Sequence, residues 1–162
     1  MKITAIEEYG LRVAVQLARV GVGESLTIPE IAEREGLSTA YVGKLLAMLK
    51  QSALVTSARG RSGGYMLARP AGEVSAAQVL GVFGGRVWDA NYCERHGGSL
   101  EACVHLGRCS VRTLWGQLES IVDQLLQSVT LADLVDGRAP WREAAGQPSL
   151  VQLATTASGK EE

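Results

Sequence analysis

Apolar positions in the first fifty residues recur with helical spacing, and polar caps and glycines divide them into three helices. Residues 4–20 carry Ile6, Leu11, Val13, Ala14, Val15, Leu17 and Ala18 over much of one helical surface, the pattern of a buried helix, and Gly21-Val-Gly23 ends it. Thr27-Ile-Pro-Glu30 is a capping box: the threonine oxygen accepts an otherwise unpaired backbone N–H while the glutamate reaches back. It predicts a short helix to Glu35, broken at Gly36. Ser38 then caps a third helix over residues 39–51, with Val42, Leu45, Leu46 and Leu49 as its inward stripe. Beyond it the pattern predicts two short strands, Leu54–Ala58 and Tyr65–Ala68, joined by the tip Arg59-Gly-Arg-Ser-Gly-Gly64. Arg69-Pro-Ala-Gly72 is a turn, and Ser75 caps a helix to about Phe83 that Gly84-Gly85 ends. After a glycine- and charge-rich segment, Ser110 is expected to cap a long helix from Val111 to about Ser128. There Val111, Trp115, Leu118, Val122, Leu125 and Val129 follow the heptad rhythm of a helix–helix seam, widened by Leu114, Ile121 and Leu126. Thr130 caps one more short turn, and from Gly137 onward no periodicity persists, which reads as a disordered tail.

Composition narrows the class. The chain has 162 residues, 46% hydrophobic and 20% charged, ordinary for a soluble globular domain. It holds no run of eighteen apolar residues and no signal-peptide pattern at its start, so a cytoplasmic location is expected. Net charge is -1, but residues 1–70 hold nine Lys/Arg against six Asp/Glu, whereas residues 71–162 hold seven against eleven. The N-terminal part is therefore the better partner for phosphate. No Ser/His/Asp set, phosphate-binding glycine loop or paired catalytic carboxylates stands out, and an enzyme is not expected.

The second and third helices fit a helix-turn-helix. Ala32 is small where the helices cross, Gly36 sits at the turn, and Ile31, Leu37, Val42 and Leu45 are apolar where such a motif packs inward. This leaves Ser38, Thr39, Ala40, Tyr41 and Lys44 on the outer, N-terminal part of the second helix, the part that enters a DNA major groove. Lys44 suits a phosphate contact better than base reading. Arg59 and Arg61 on the glycine-rich hairpin tip form a slim cationic finger suited to a narrow minor groove. Helix-turn-helix followed by hairpin is a winged helix.

The remaining chemistry lies in the segment that starts after this head. The three cysteines, Cys93, Cys103 and Cys109, fall within seventeen residues of it. An odd number cannot pair fully within one chain, and in a reducing compartment such thiols stay free or bind metal. Thiolates favour soft metal centres, iron–sulfur clusters among them, and the spacing does not match a zinc-ribbon knuckle. Three thiolates leave a fourth ligand to be found, with His96 and His105 as candidates inside the loop. A zinc site completed by one of these histidines, or metal-free redox thiols, are the competing readings.

Several stretches together resemble the Rrf2 family of bacterial transcription regulators, the IscR- and NsrR-like proteins. They are Leu37-Ser-Thr-Ala-Tyr-Val-Gly-Lys-Leu-Leu46, the wing Ser57-Ala-Arg-Gly-Arg-Ser-Gly-Gly-Tyr65, the loop cysteines, and Leu114-Trp115 leading to Ser128-Val-Thr-Leu-Ala-Asp-Leu134. The resemblance runs from Met1 to about Asp136. It implies a mainly α fold with a small β-hairpin wing, and a homodimer whose winged heads are joined by the long helix. Four segments follow: a winged helix-turn-helix DNA-binding domain over 1–85, a cluster-binding cysteine loop over 86–110, a dimerisation helix and C-terminal turn over 111–136, and a tail over 137–162. It also implies an iron–sulfur cluster, 4Fe–4S in preference to 2Fe–2S, that switches binding to a palindromic operator. IscR-like members place a histidine ligand three residues after the last cysteine, where this chain has Arg112. NsrR-like members instead use an acid near the N terminus, contributed across the dimer, and Glu8 stands at that position. Gly43 departs from the IscR pattern, which has a glutamate there, so the IscR target sequence does not carry over. A protein-interaction module built on the same winged helix is the alternative from another class.

Overall fold

Side-chain caps set where the helices begin. In the computed structural model, which describes residues 3–58, 63–84, 103, 105 and 108–138, Thr4 and Glu7 form a capping box at the start of α1 (Ala5–Arg19). Thr27 and Glu30 do the same for α2 (Ile28–Glu35). Ser38 Oγ accepts the Tyr41 N–H to open α3 (Thr39–Gln51). Ser75 pairs with Gln78 at α4 (Ala76–Val82). Each such cap contributes about 1 kcal/mol by satisfying donors that the helix itself leaves unpaired. Gly36 adopts the left-handed conformation, φ 65°, and turns the chain from α2 into α3.

The three N-terminal helices close around one core. Val13, Ala14 and Leu17 of α1 meet Ile31 of α2 and the whole expected stripe of α3, Val42, Leu45, Leu46 and Leu49, all of them buried. Beyond α3, β1 (Val55–Ser57) and β2 (Tyr65–Leu67) form an antiparallel hairpin with Val55 opposite Leu67 and Ser57 opposite Tyr65. The hydrogen bonds from Ala58 to Gly64 and from Ala68 to Leu54 extend the pairing to nearly the expected strand ends. Sequence periodicity did not reveal a further bridge. Leu26, just before α2, exchanges both backbone hydrogen bonds with Tyr65, at 2.9 and 2.8 Å. Gly64 makes that approach possible, because a Cβ there would lie 2.7 Å from the Leu26 carbonyl oxygen. The arginines expected at the hairpin tip, Arg59 and Arg61, lie outside the described residues.

A 3-10 turn (Ala71–Glu73) leads into α4, which packs against α1 on one side and on the other against the long helix α5 (Ser110–Ser128). The cap of α5 is not Ser110, as the sequence suggested, but Cys109, whose Sγ accepts the Arg112 N–H at 3.3 Å. The expected seam also divides. Trp115, Val122 and Leu126 are half-buried, Val111, Leu114, Leu118, Ile121 and Leu125 are exposed, and no residue of α5 is buried. Val129 leaves the stripe altogether: it is buried in the head, and its carbonyl accepts from Ala76 at 2.8 Å. Thr130 and Asp133 then cap a last helix, α6 (Leu131–Asp136), which packs on α1 and places Leu131 in the core. Residues 139–162, expected to be a disordered tail, lie outside the described residues. No helix among the described residues is long and apolar enough to cross a membrane.

One non-glycine residue is held in the left-handed region, Ala53 at φ 56°, where α3 ends and Leu54 donates back to Leu49. A Cβ in that conformation costs roughly 1–2 kcal/mol. The unfolded-state entropy that glycine adds is roughly 0.4–1 kcal/mol. Ala53→Gly is therefore expected to raise stability by about 0.5–1 kcal/mol in urea unfolding, since relief of the Cβ strain outweighs the added entropy.

Candidate nucleic-acid interface and cysteine site

The N-terminal end of α3 is open to solvent. Ser38, Thr39, Ala40 and Lys44 are exposed there. Ser38 oxygen already accepts the Tyr41 amide, which leaves its hydroxyl proton and one lone pair for a ligand. Tyr41 differs from its neighbours. It is half-buried, and its ring meets that of Tyr9 on α1 edge to face, 6.0 Å between centroids at 84°. The Tyr41 ring thus anchors the recognition helix to α1. A Cβ on Gly43 would make only an ordinary 3.7 Å contact with Ile28, so packing does not impose the glycine. At the other end of α3, Lys50 Nζ donates to Ser57 Oγ at 3.1 Å and ties the helix to the hairpin stem.

Sequence reasoning treated α1 as a plain buried helix and missed a polar clamp on it. Arg12 Nε donates to Glu35 Oε2 at 2.5 Å, and the Gln16 amide donates to the other Glu35 oxygen. The Glu35 side chain is only 5% exposed, so this charge is held by its partners rather than by water. The Arg12 guanidinium also lies 5.5 Å from the centre of the Tyr9 ring. Thus α1 holds α2 through Arg12, Gln16 and Glu35, and α3 through Tyr9 and Tyr41. The available signal was the spacing of Tyr9, Arg12 and Gln16, at steps of three and four along one face of α1.

The capping carboxylates carry the clearest electrostatic signature. Backbone and then side-chain hydrogen bonds from Thr27 hold Glu30 below the ordinary glutamate range. Side-chain and then backbone hydrogen bonds from Thr130 do the same for Asp133. A carboxylate with a depressed folded-state pKa contributes stability that is complete at neutral pH and is lost as pH falls through that pKa. Thermal melting from pH 7 to pH 2 should show an acid limb, and Glu30→Ala should lower the melting temperature at neutral and alkaline pH, with the gap to wild type narrowing as pH falls, so that the limb is flatter.

Of the candidate metal ligands, Cys103 and Cys109 are free, half-buried thiols, and Cys93 and His96 lie outside the described residues. His105 is exposed, and its carbonyl accepts from Arg108 at 3.1 Å in the turn that leads to Cys109. Glu8 is exposed on α1, beside a groove lined by Leu11, Arg12, Val15, Arg34 and Leu134. No three His, Cys, Asp or Glu side chains among the described residues converge on a metal position. Glu8 of one chain therefore does not join Cys103 and Cys109 of that same chain. The donor chemistry still suits a soft centre: half-buried thiols, one already accepting a backbone N–H, the kind of hydrogen bond that tunes metal-bound sulfur.

Comparison with known proteins assigns the frame. The Rrf2 family model, described as iron-dependent transcriptional regulator, matches residues 3–137. Protein rrf2 of Nitratidesulfovibrio vulgaris is 32% identical over 136 residues, covering 83% of this chain and 87% of that one. Among solved structures, T. potens IscR superposes with a TM-score of 0.68 at 26% identity, covering 85% of this chain and 88% of that one. CymR, the global cysteine regulator of B. subtilis, superposes with a TM-score of 0.68 at 28% identity, covering 84% and 97%.

Proposed function

This chain belongs to the Rrf2 family of transcriptional regulators, and from that premise we propose that it is a homodimer whose grip on a palindromic operator is set by an iron–sulfur cluster. The family and the winged helix carry the DNA-binding part. Ser38, Thr39, Ala40 and Lys44 would face the major groove, with Tyr41 bracing their helix against Tyr9, and Arg59 and Arg61 would face the minor groove. Cys93, Cys103 and Cys109 would hold the cluster, with Glu8 of the partner subunit as the fourth ligand. When bound, such a cluster would supply redox-active chemistry, held by these three thiolates and the carboxylate.

One observation supports joining the two halves: a cysteine of the candidate set is also the cap of the helix with the exposed apolar face. Cys109 Sγ holds the first turn of α5 through the Arg112 amide. Any change in how that sulfur is engaged acts on the end of the helix proposed to join the subunits. A switch needs differential affinity, since a state change that binds DNA equally well in both forms shifts nothing. The cysteine-capped end of α5 and the α1 clamp on α2 and α3 are where this chain would create that difference.

The test is protein purified without oxygen, assayed for iron, sulfide and visible absorption, then for operator binding. The reading expects iron, sulfide and a brown colour that Cys103→Ala or Cys109→Ala removes, with an accompanying change in operator affinity. Zinc without iron or sulfide would replace the cluster by a zinc site, and colourless, metal-free protein after iron–sulfide reconstitution would leave only thiol chemistry. Independently, Lys44→Ala should weaken binding similarly across sequences and reduce the slope of log affinity against log salt by about one.

A further inference from the structure

Phe83 is the only phenylalanine of the chain. It is 9% exposed at the C-terminal end of α4, followed at once by Gly84 at φ +99°. Its ring rests on the bare backbone of Gly10 in the middle of α1. A Cβ on Gly10 would lie 2.1 Å from Cε2, 2.4 Å from Cζ and 2.6 Å from Cδ2 of that ring. Only glycine permits this seat, and glycine is otherwise a poor choice inside a helix.

The contact lies at a junction. One residue before it on α1, Tyr9 meets Tyr41 of the recognition helix, and two residues after it, Arg12 grips Glu35 at the end of α2. On the far side, α4 packs against α5, with Ser75, Ala77 and Gln78 beside Asp123 and Gln127 of its C-terminal half, and Cys109 caps the other end of that same helix. Close-packed interiors transmit displacement rather than absorb it. A ring lodged against a helix backbone leaves α4 no room to move toward α1 without displacing it.

We propose that Phe83, seated on Gly10, couples the cysteine-capped end of α5 to the recognition helix, along the path α5, α4, Phe83, Gly10, Tyr9, Tyr41. The inference rests on the cysteine-dependent reading above and adds the route by which it acts. Phe83 and Gly10 are positioning residues and touch no nucleic acid in this scheme. A merely structural role would weaken operator binding equally in both cysteine states. A coupling role removes the difference between the states.

The experiment measures operator affinity by fluorescence anisotropy on the full chain, cluster-loaded and cluster-free reduced, for wild type and Phe83→Leu. Wild type is expected to differ between the two forms by at least about fivefold, the low end of ordinary coupling between sites. Phe83→Leu is expected to bring the two forms within about twofold of each other while the protein stays folded. Melting temperatures of the cluster-free protein give a second readout. Gly10→Ala should lower the melting temperature of wild type, and the same substitution should cost clearly less in a Phe83→Ala background, because the new methyl occupies room that the ring has vacated. A wild-type difference that survives intact in Phe83→Leu overturns the route alone, as does strict additivity in the melting cycle. Equal wild-type affinities overturn the cysteine-dependent reading, and the route with it.

Discussion

On the proposed homodimer, glutamate at both Leu118 and Ile121 is expected to leave the head folded, to separate the subunits, and to lower operator affinity by about 10²–10⁴-fold, the avidity lost when two linked sites are separated. The expectation follows from how the structure divides α5. Val111, Leu114, Leu118, Ile121 and Leu125, at 56%, 57%, 39%, 64% and 42% exposure, step by three and four residues and form one continuous apolar stripe. Trp115, Glu119, Val122 and Leu126, half-buried, form the neighbouring stripe on the same helix. A five-residue apolar row left open along nineteen residues of helix is the signature of a surface that another molecule covers. Against a second copy related by two-fold symmetry, each substitution occurs twice, so four carboxylates would enter one seam. Neither residue belongs to the head's core, so its melting should change little. Sedimentation velocity reads the assembly state and anisotropy reads the affinity. A variant that stays dimeric with wild-type affinity would place the subunit contact elsewhere.

Local chemistry made much of this fold legible. Thr27-Ile-Pro-Glu30, Gly36 and Ser38 are short-range signals, and the helices they bound fall where the sequence put them, because capping and left-handed turns depend on a few adjacent residues. The α3 stripe was equally readable, since a 3.6-residue period survives in the sequence. What stayed hidden depends on residues far apart in the chain. Nothing local marks Leu26 as the partner of Tyr65, or Gly64 as the residue that lets them meet. The same holds for Glu35 with Arg12 and for Gly10 beneath Phe83. The cap of α5 was misplaced for a different reason. Serine is a common cap, which is why the sequence points to Ser110, yet the extended backbone falls at Cys109 and the sulfur serves as acceptor. Of the candidate DNA contacts, exposure at Ser38, Thr39, Ala40 and Lys44 follows the helical pattern, whereas the attachment of Tyr41 to Tyr9 required the fold.

Leu131→Ala is expected to cost about 2–5 kcal/mol, the range for truncating a fully buried leucine. Against a typical domain stability of about 5–15 kcal/mol, that is a large share of the total. The size of the effect follows from an unlikely location, since Leu131 belongs to a helix of only six residues after the long arm. Such a short segment has little intrinsic helicity, and its order comes from what it packs on. Here that support is extensive. Leu131 is 0% exposed, its N–H donates to the Val74 carbonyl at 2.9 Å, and Thr130 and Asp133 cap the helix reciprocally. Truncation opens a cavity beneath α1, which Val13, Leu17 and Val74, already packed in the same cluster, have little freedom to fill. Leu134, one turn on and half-buried, should lose clearly less when changed to alanine. Urea unfolding of both variants reads the comparison. A Leu131→Ala loss no larger than that of Leu134→Ala would mean that residues 129–136 lie on the head without being part of its core.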